Sequence, residues 1–158
     1  MAPEETPRSA VVVVSAKGEA DLVQALAVRE VVFIEEQHVP EGIERDAEDA
    51  RAHHVLAFQA GHAIGTGRLV MMAQPPPGEH GTWAQVGRMA VVKAHRRAGV
   101  GSRLLTALEE EARRRGVRGI MLHAQVLALD FYRRHGYEPA GQRFVEAGME
   151  HLEMRKRL

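Results

Sequence analysis

A short loop rich in glycine and arginine is the segment of this sequence best suited to chemistry. It consists of Arg96, Arg97, Ala98, Gly99, Val100, Gly101 and Ser102. The two glycines allow the backbone to turn tightly and to approach a ligand closely. A predicted helix follows, and its first N–H groups lack partners within the helix and carry the positive end of its dipole. With two arginines beside them, these groups predict a site for a phosphate or pyrophosphate.

Two common phosphate-binding loops do not fit this segment. A P-loop requires Gly-Lys followed by Ser or Thr, and the chain contains no Gly-Lys pair. A dinucleotide fingerprint requires a third glycine three residues after Gly101, where Leu104 stands. The remaining pattern is Arg-x-x-Gly-x-Gly between a predicted strand and a predicted helix.

A second motif follows one predicted strand later. Its members are Gln125, Ala128, Phe131, Tyr132, Gly136 and Tyr137. In this order and spacing the two motifs resemble the signatures of the GNAT superfamily of N-acetyltransferases. Gln125 stands where Asn is common in that family, and Tyr137 where Phe is common. Further segments, among them Gly65-Thr66-Gly67-Arg68 and Gly87-Arg88-Met89-Ala90-Val91, resemble ElaA-like and YjcF-like acetyltransferases, and the resemblance covers roughly residues 11–155.

The resemblance implies both a fold and a binding mode. The fold is a single-domain α/β structure, with a mixed and mostly antiparallel sheet flanked by helices around a central βαβ unit that binds acetyl-CoA. The backbone of residues 89–91 pairs with the pantetheine arm, the loop 96–102 holds the pyrophosphate, and the helices around residues 35–43 form a wall of the acceptor pocket. Tyr132 lies near the thioester sulfur as general acid. The implied cofactor-binding residues outside the loop are Met89, Ala90, Val91, Gln125, Phe131 and Tyr132.

Hydrophobic periodicity predicts the elements that position these motifs. Strands are predicted at 11–15, 55–59, 63–72, 83–92, 120–124, 137–145 and 148–157, and helices at 19–37, 101–115 and 126–135. This order predicts a mixed α/β layer with one central βαβ unit over residues 83–124. Residues 1–10 are predicted as a flexible tail, residues 11–158 as one domain, and the acidic stretch 41–49 as a solvated loop.

The proposed chemistry needs a base more than an acid. Deprotonating a lysine-like amine at pH 7 costs about 4–5 kcal/mol, whereas releasing a thiolate costs about 2 kcal/mol. Strand alternation puts His123 on the same face as Gln125, so His123 is a candidate base, directly or through water. Glu36 and Glu146 are carboxylate alternatives. Each candidate also has a structural interpretation. His123 could be bonded to a backbone group, Glu36 could lie at a solvated helix end, and Glu146 could be an acid in a loop.

Other charged residues leave two interpretations open. Arg68 and Arg88 could orient an acidic substrate or form ion pairs within the sheet. The acidic and basic runs at 109–111 and 113–115 are predicted to form a solvated helix face.

The nine histidines show no metal-type spacing, and His53 and His54 point to opposite faces of a strand. We therefore expect no metal.

Composition narrows the function classes further. Basic and acidic residues balance at 21 each, which argues against nucleic-acid binding and against a polybasic membrane contact. The absence of cysteine excludes disulfides, thiolate zinc sites and a cysteine nucleophile. No apolar run approaches the length of a membrane span, so we expect a soluble cytoplasmic protein.

The sequence therefore predicts an acetyl-CoA-dependent N-acetyltransferase that transfers the acetyl group directly to a primary amine in a ternary complex. The acceptor is a small molecule, a peptide or a protein amine, and the protein is a monomer or a homodimer. Longer acyl donors stay open. A non-catalytic module that senses acyl-CoA is the alternative function, and an α/β interaction domain is a third.

Overall fold

Eight strands form one sheet through the part of the chain that the computed structural model describes, residues 9–158. The strands are β1 Val11–Ser15, β2 His53–Gln59, β3 His62–Met71, β4 Trp83–Val91, β5 Gly119–Gln125, β6 Glu138–Pro139, β7 Phe144–Glu146 and β8 Met149–Arg157. Their order is β1-β2-β3-β4-β5-β8-β6, and β7 also pairs with β8. Only the β4–β5 pair is parallel, so the mixed and mostly antiparallel sheet is confirmed. Most of the predicted tail, residues 1–8, lies outside the described residues.

Helices cover both faces of the sheet. They are α1 Gly18–Arg29, α2 Glu41–Glu44, α3 Val100–Arg114 and α4 Leu129–Arg134. On one face, α3 buries Leu104, Leu105, Leu108 and Ala112 completely, as its spacing predicts. On the other face, Val28, Val32, Phe33 and Val39 form a second apolar cluster with Ala90 of β4. Among the described residues, no helix is long and apolar enough to cross a membrane.

A π-helical segment, Glu30–Glu36, continues α1 without a break. The backbone N–H of Gln37 donates to the carbonyl of Val32, five residues earlier, at 3.1 Å. Single turns of this wide helix occur often near functional sites. The segment forms the end of the helical wall that faces β4.

The central βαβ unit opens towards one end. Strands β4 and β5 pair over only four positions, from Trp83 opposite Gly119 to Val86 opposite Leu122. At the closed end the ring of Trp83 lies directly over Gly119, where an added Cβ would be only 2.5 Å from a ring atom. Beyond Leu122 the two strands continue without pairing, and a cleft separates them.

A β-bulge in β4 changes the direction of the side chains next to this cleft. Gly87 pairs with Arg68 and Ala90 pairs with Thr66, so β4 has one residue more than β3 over this span. Arg88 lies inside the bulge with a left-handed φ of 52°. A bulge of this kind re-aims a side chain that strict alternation would send to the opposite face.

Three predictions about local structure are wrong. The single strand at 137–145 is split into β6 and β7, because the chain turns at Gly141 with φ +88°. The acidic stretch 41–49 is not solvated loop: it forms α2 and a 3-10 turn, Ala47–Ala50, and Glu44 is only 2% exposed. Within the run 109–111, Glu109 is buried, because it accepts hydrogen bonds from Tyr137 at 3.0 Å and Lys156 at 2.8 Å.

Candidate active site

The cleft between the separated ends of β4 and β5 brings together five of the residues that the sequence analysis selected. Its walls come from the bulge of β4, the end of β5, α4, β7 and the segment after α1. The predicted residues that line it are Met89, His123, Gln125, Tyr132 and Glu146. Two further lining residues are Arg88, which the sequence analysis offered as a group to orient an acidic substrate, and His151, which it favours as a structural histidine of a strand.

His123 and Glu146 form a pair in this cleft. The Nδ1 atom of His123 lies 3.2 Å from a carboxylate oxygen of Glu146, which reaches across from β7. The Phe144 ring packs edge-on against the imidazole, with centroids 4.9 Å apart. If Nδ1 carries the proton and donates it to Glu146, Nε2 is left as an acceptor. The geometry therefore combines the two residues that the sequence offered as alternative bases.

Tyr132 approaches the cleft from α4. It is only 8% exposed, and its ring packs edge-on against Phe131 and Tyr137, at centroid distances of 5.0 and 5.9 Å. Burial raises the pKa of the Tyr132 hydroxyl, so the phenol keeps its proton at neutral pH. Within residues 9–158 no side-chain partner bonds this hydroxyl. It is therefore available to a ligand in the cleft.

The loop before α3 has the backbone conformation of a ligand-binding turn. Arg97 and Gly99 both adopt left-handed φ values, 63° and 80°, and Gly99 is the N-cap residue immediately before α3. Residues 96–99 are exposed, whereas the Val100 side chain is buried in the core. A Cβ at Gly101 would lie 3.4 Å from the Phe131 ring, so glycine keeps the first turn of α3 close to α4.

Arg96 and Glu36 bind each other. Two nitrogens of the Arg96 guanidinium donate to the two Glu36 oxygens at 2.7 and 2.6 Å, and the third donates to the carbonyl of Val91 at 2.8 Å. The bond from Arg96 is the main cause that lowers the pKa of Glu36. Glu36 does not line the cleft, so the structure does not bring this third candidate base together with His123 and Glu146.

Gln37 lies in the predicted wall 35–43, but the sequence analysis did not foresee its contact with Gln125. Its side-chain oxygen accepts a 3.0 Å hydrogen bond from the Gln125 amide, which joins the helical wall to β5 at the cleft. Nothing in the periodicity of the sequence marks Gln37, because the contact joins residues 88 positions apart. At the loop, Ser102 Oγ lies 2.9 Å from Nε2 of His135, another contact that spacing does not reveal.

Buried ion pairs hold α2 and the 3-10 turn beside the cleft. Arg29, only 1% exposed, binds Glu44 and also donates to Asp49 at 2.6 Å. Arg68 donates to Asp46 at 2.7 and 2.8 Å and to Asp49 at 2.8 Å. The ion pairs of Arg68 therefore reach the acidic stretch and not another strand of the sheet. Among the described residues no group of three His, Asp or Glu side chains is arranged to hold a metal ion.

Comparison with known proteins gives a consistent result. The family model described as "Acetyltransferase (GNAT) domain" matches residues 14–158. The N-acetyltransferase YjcF of Bacillus subtilis is 37% identical over 144 residues, which cover 90% of this chain and 97% of YjcF. The crystal structure of Escherichia coli ElaA superposes with a TM-score of 0.77 at 22% identity, covering 93% of this chain and 99% of ElaA. An acyl-CoA N-acyltransferase from Pseudomonas aeruginosa gives a TM-score of 0.75 at 25% identity, with coverage of 93% and 99%.

Proposed function

This chain belongs to the GNAT family of acetyltransferases, and from that premise we propose that it transfers an acetyl group from acetyl-CoA directly to a primary amine. One observation carries the proposal. His123, Glu146 and Tyr132 meet in the cleft that opens where β4 and β5 stop pairing. A base and an acid are therefore available in a cleft between two unpaired strand edges. Such a cleft can hold an extended thioester while protons are transferred.

The donor is proposed to lie along the unpaired end of β4. Beyond Val86 the backbone groups that face β5 have no strand partner there, so residues 89–91 can pair with the amides of a pantetheine arm. The pyrophosphate is then placed at the exposed turn 96–99 and the start of α3, where unpaired N–H groups favour an anion. Gln125, Phe131 and the loop residues 96–102 are the proposed contacts of the donor.

The proposed reaction needs three proton transfers. Nε2 of His123 takes a proton from the acceptor ammonium, and Glu146 holds the ring by accepting from Nδ1. The neutral amine attacks the thioester carbonyl carbon, a C–N bond forms, and the C–S bond breaks as the tetrahedral intermediate collapses. Tyr132 gives its proton to the leaving sulfur, and the second proton of the attacking nitrogen passes to solvent. Proton exchange with solvent then restores the neutral forms of Tyr132 and His123. The products are an N-acetyl amide and CoA.

A thiol-release assay with acetyl-CoA tests this proposal. Purified protein is incubated with a panel of small amines, amino acids and peptides, and mass spectrometry identifies N-acetylated products. We expect turnover that His123→Gln lowers strongly and that His62→Gln, an exposed histidine at the start of β3, leaves unchanged. Binding of CoA by calorimetry without any acetylated product would instead favour an acyl-CoA sensor.

A further inference from the structure

Three arginines, one each from α1, β3 and β4, bond the stretch formed by α2 and the 3-10 turn. All three side-chain nitrogens of Arg29 donate to protein oxygens. Both terminal nitrogens of Arg68 donate to carboxylates at 2.7–2.8 Å. Their side chains are 1% and 9% exposed. Every terminal nitrogen of these two arginines is therefore already bonded to the protein.

The third arginine, Arg88, is held on one side only. Its Nε donates to the carbonyl of Glu44 at 3.0 Å, and Nη2 lies 3.3 Å from the carbonyl of Ile43 and 3.2 Å from Asp46. No described residue accepts from Nη1. Because no buried side-chain nitrogen or oxygen of the described chain lacks a partner, Nη1 is open to solvent. The guanidinium is therefore fixed in place with one donor unused.

The charge of Arg88 is also compensated less well than that of its neighbours. The two oxygens of Asp46 already accept shorter bonds from Arg68, and within residues 9–158 Asp46 is the only carboxylate that bonds Arg88. Burial first, and then the nearby Arg68 charge, lower the pKa of Arg88. An additional anion beside this guanidinium would stabilise its charged form.

Arg88 lines the cleft, and it also lines a neighbouring pocket together with Arg68 and Gln85. Its left-handed φ of 52° belongs to the bulge, and its side chain bonds the carbonyl of Glu44 in α2. A non-glycine residue held in this region is strained, and such strain is concentrated at functional sites. The bulge therefore places a preorganised cation two residues beyond the last β4–β5 pair.

We propose that Arg88 binds a carboxylate of the acceptor, so that the acceptors of this enzyme are amines that also carry a carboxylate, such as amino acids. The inference rests on the proposed acetyl transfer. His123 follows Leu122, the last residue of β5 that pairs with β4. His123 and Arg88 therefore line the cleft from neighbouring strands. Strands lie about 5 Å apart where they pair, so groups from both can reach one molecule of amino-acid size. Asp46 already neutralises part of the charge of Arg88, so a ligand with one negative charge suits this guanidinium better than a doubly charged phosphate does.

The test compares acids with their matched amides. Thiol release from acetyl-CoA is measured with L-amino acids and with the corresponding amino-acid carboxamides, and kcat/KM is obtained for each pair. We expect the free acids to be preferred by at least tenfold, and we expect Arg88→Gln to bring the acid-to-amide ratio close to one. Arg88→Lys keeps the charge but loses the planar fork, so it should retain only part of the preference. Arg45→Gln is the matched control, because Arg45 is 41% exposed and makes only surface ion pairs at 3.6 and 3.7 Å.

The outcomes separate this inference from the proposed function. Turnover with equal use of acids and amides, or a preference that survives in Arg88→Gln, would overturn the inference and leave acetyl transfer standing. Calorimetry of the same acids and amides with the CoA-saturated protein gives a readout that does not need turnover. Preferential binding of the acids that depends on Arg88, without acetylated product, would support the carboxylate site and contradict the transfer. Absence of both turnover and acid-selective binding would contradict both.

Discussion

The imidazole of His123 and the carboxylate of Glu146 lie 3.2 Å apart, although β5 and β7 are not neighbours in the sheet. Strand β8 joins them, because it pairs with β5 on one side and with β7 as well. At the turn between β7 and β8, Ala147 and Gly148 both have left-handed φ values, 51° and 75°. The position of Glu146 over His123 therefore depends on this tight hairpin.

The first prediction concerns the base. If His123 accepts the proton of the acceptor, the rate at saturating acetyl-CoA should rise with pH until the base is deprotonated. His123→Gln should remove this limb of the profile. Glu146→Gln should lower kcat but keep a limb, because the imidazole is still present. An unchanged pH profile in His123→Gln would return His123 to a structural role.

The second prediction concerns the acid. Tyr132→Phe removes only a hydroxyl that makes no side-chain bond in the described chain, so packing against Phe131 and Tyr137 should persist. We expect turnover to fall by roughly ten- to a hundredfold, the low end of general acid catalysis, because a thiolate is already a fair leaving group. Steady-state kinetics and acetyl-CoA titration on the same preparation check this. Equal turnover would exclude Tyr132 as the acid, and a parallel loss of binding would make it a cofactor contact.

The third prediction concerns the phosphate loop. Gly101→Val should weaken acetyl-CoA binding at least tenfold, about 1.4 kcal/mol, because a branched side chain fills the space between the first turn of α3 and Phe131. Gly101→Ala is the graded control, since its Cβ would make an ordinary 3.4 Å contact with that ring. Calorimetry measures both variants after thermal unfolding has shown that they fold. Unchanged affinity in folded Gly101→Val would place the phosphate site elsewhere.

The fourth prediction concerns stability in acid. Burial alone would raise the pKa of Asp49, but hydrogen bonds from Arg29 and Arg68 outweigh it and hold this pKa at about 2, below the ordinary 3.8. A carboxyl with a lowered folded-state pKa stabilises the fold above its unfolded pKa and loses that contribution as pH falls. We therefore expect the free energy of unfolding to drop between about pH 4 and pH 2, by about 2 kcal/mol from this group.

Denaturant unfolding at a series of pH values measures this dependence. Asp49→Asn should flatten the slope below pH 4, although it also lowers stability at neutral pH by leaving two arginines underpaired. Asp130→Asn is the matched control, because that side chain is 88% exposed and its only ion pair is 3.6 Å long. An identical slope in wild type and Asp49→Asn would contradict the assigned pKa.

The fifth prediction concerns the closed end of the β4–β5 pair. In Gly119→Ala the new Cβ would lie 2.5 Å from the Trp83 ring and 2.8 Å from the backbone oxygen of Lys156, and neither can move easily. We expect a loss of about 1–3 kcal/mol in the free energy of unfolding. Gly42→Ala has no atom within 4 Å of its Cβ and should change stability by less than about 0.5 kcal/mol. Equal stability of the two variants would show that the strands can shift.

The sequence predicted the parts of the fold that depend on local periodicity. The amphipathic α3, the parallel β4–β5 unit and the shared face of His123 and Gln125 are confirmed in the structure. Their roles in binding and catalysis stay predictions. All of these features depend on a period of 3.6 or 2 residues within one segment, and such periods can be counted without knowing the fold.

The features that were missed depend on contacts between distant segments. Arg29 pairs with Glu44 and Asp49. These ion pairs hold the acidic stretch 41–49 against the rest of the protein, so it does not form a solvated loop. Arg96 meets Glu36 across 60 positions. The direction of Arg88 depends on one extra residue in β4, and a bulge without glycine at its left-handed position leaves no local signal. These contacts are set by the tertiary arrangement, so no local pattern could reveal them.

The π-helical segment Glu30–Glu36 also bears on how this wall tolerates change in chain length. A π-helical turn holds one residue more than a regular turn, so one residue can be removed here without rotating the residues that follow. Each residue of a regular helix advances about 100° around the axis, so the same deletion within the regular helix α1 would rotate Glu36 and Gln37 by that angle, away from Arg96 and Gln125. A single-codon deletion within Glu30–Glu36 would thus keep this wall in contact with the cleft, whereas a deletion within α1 would break both contacts.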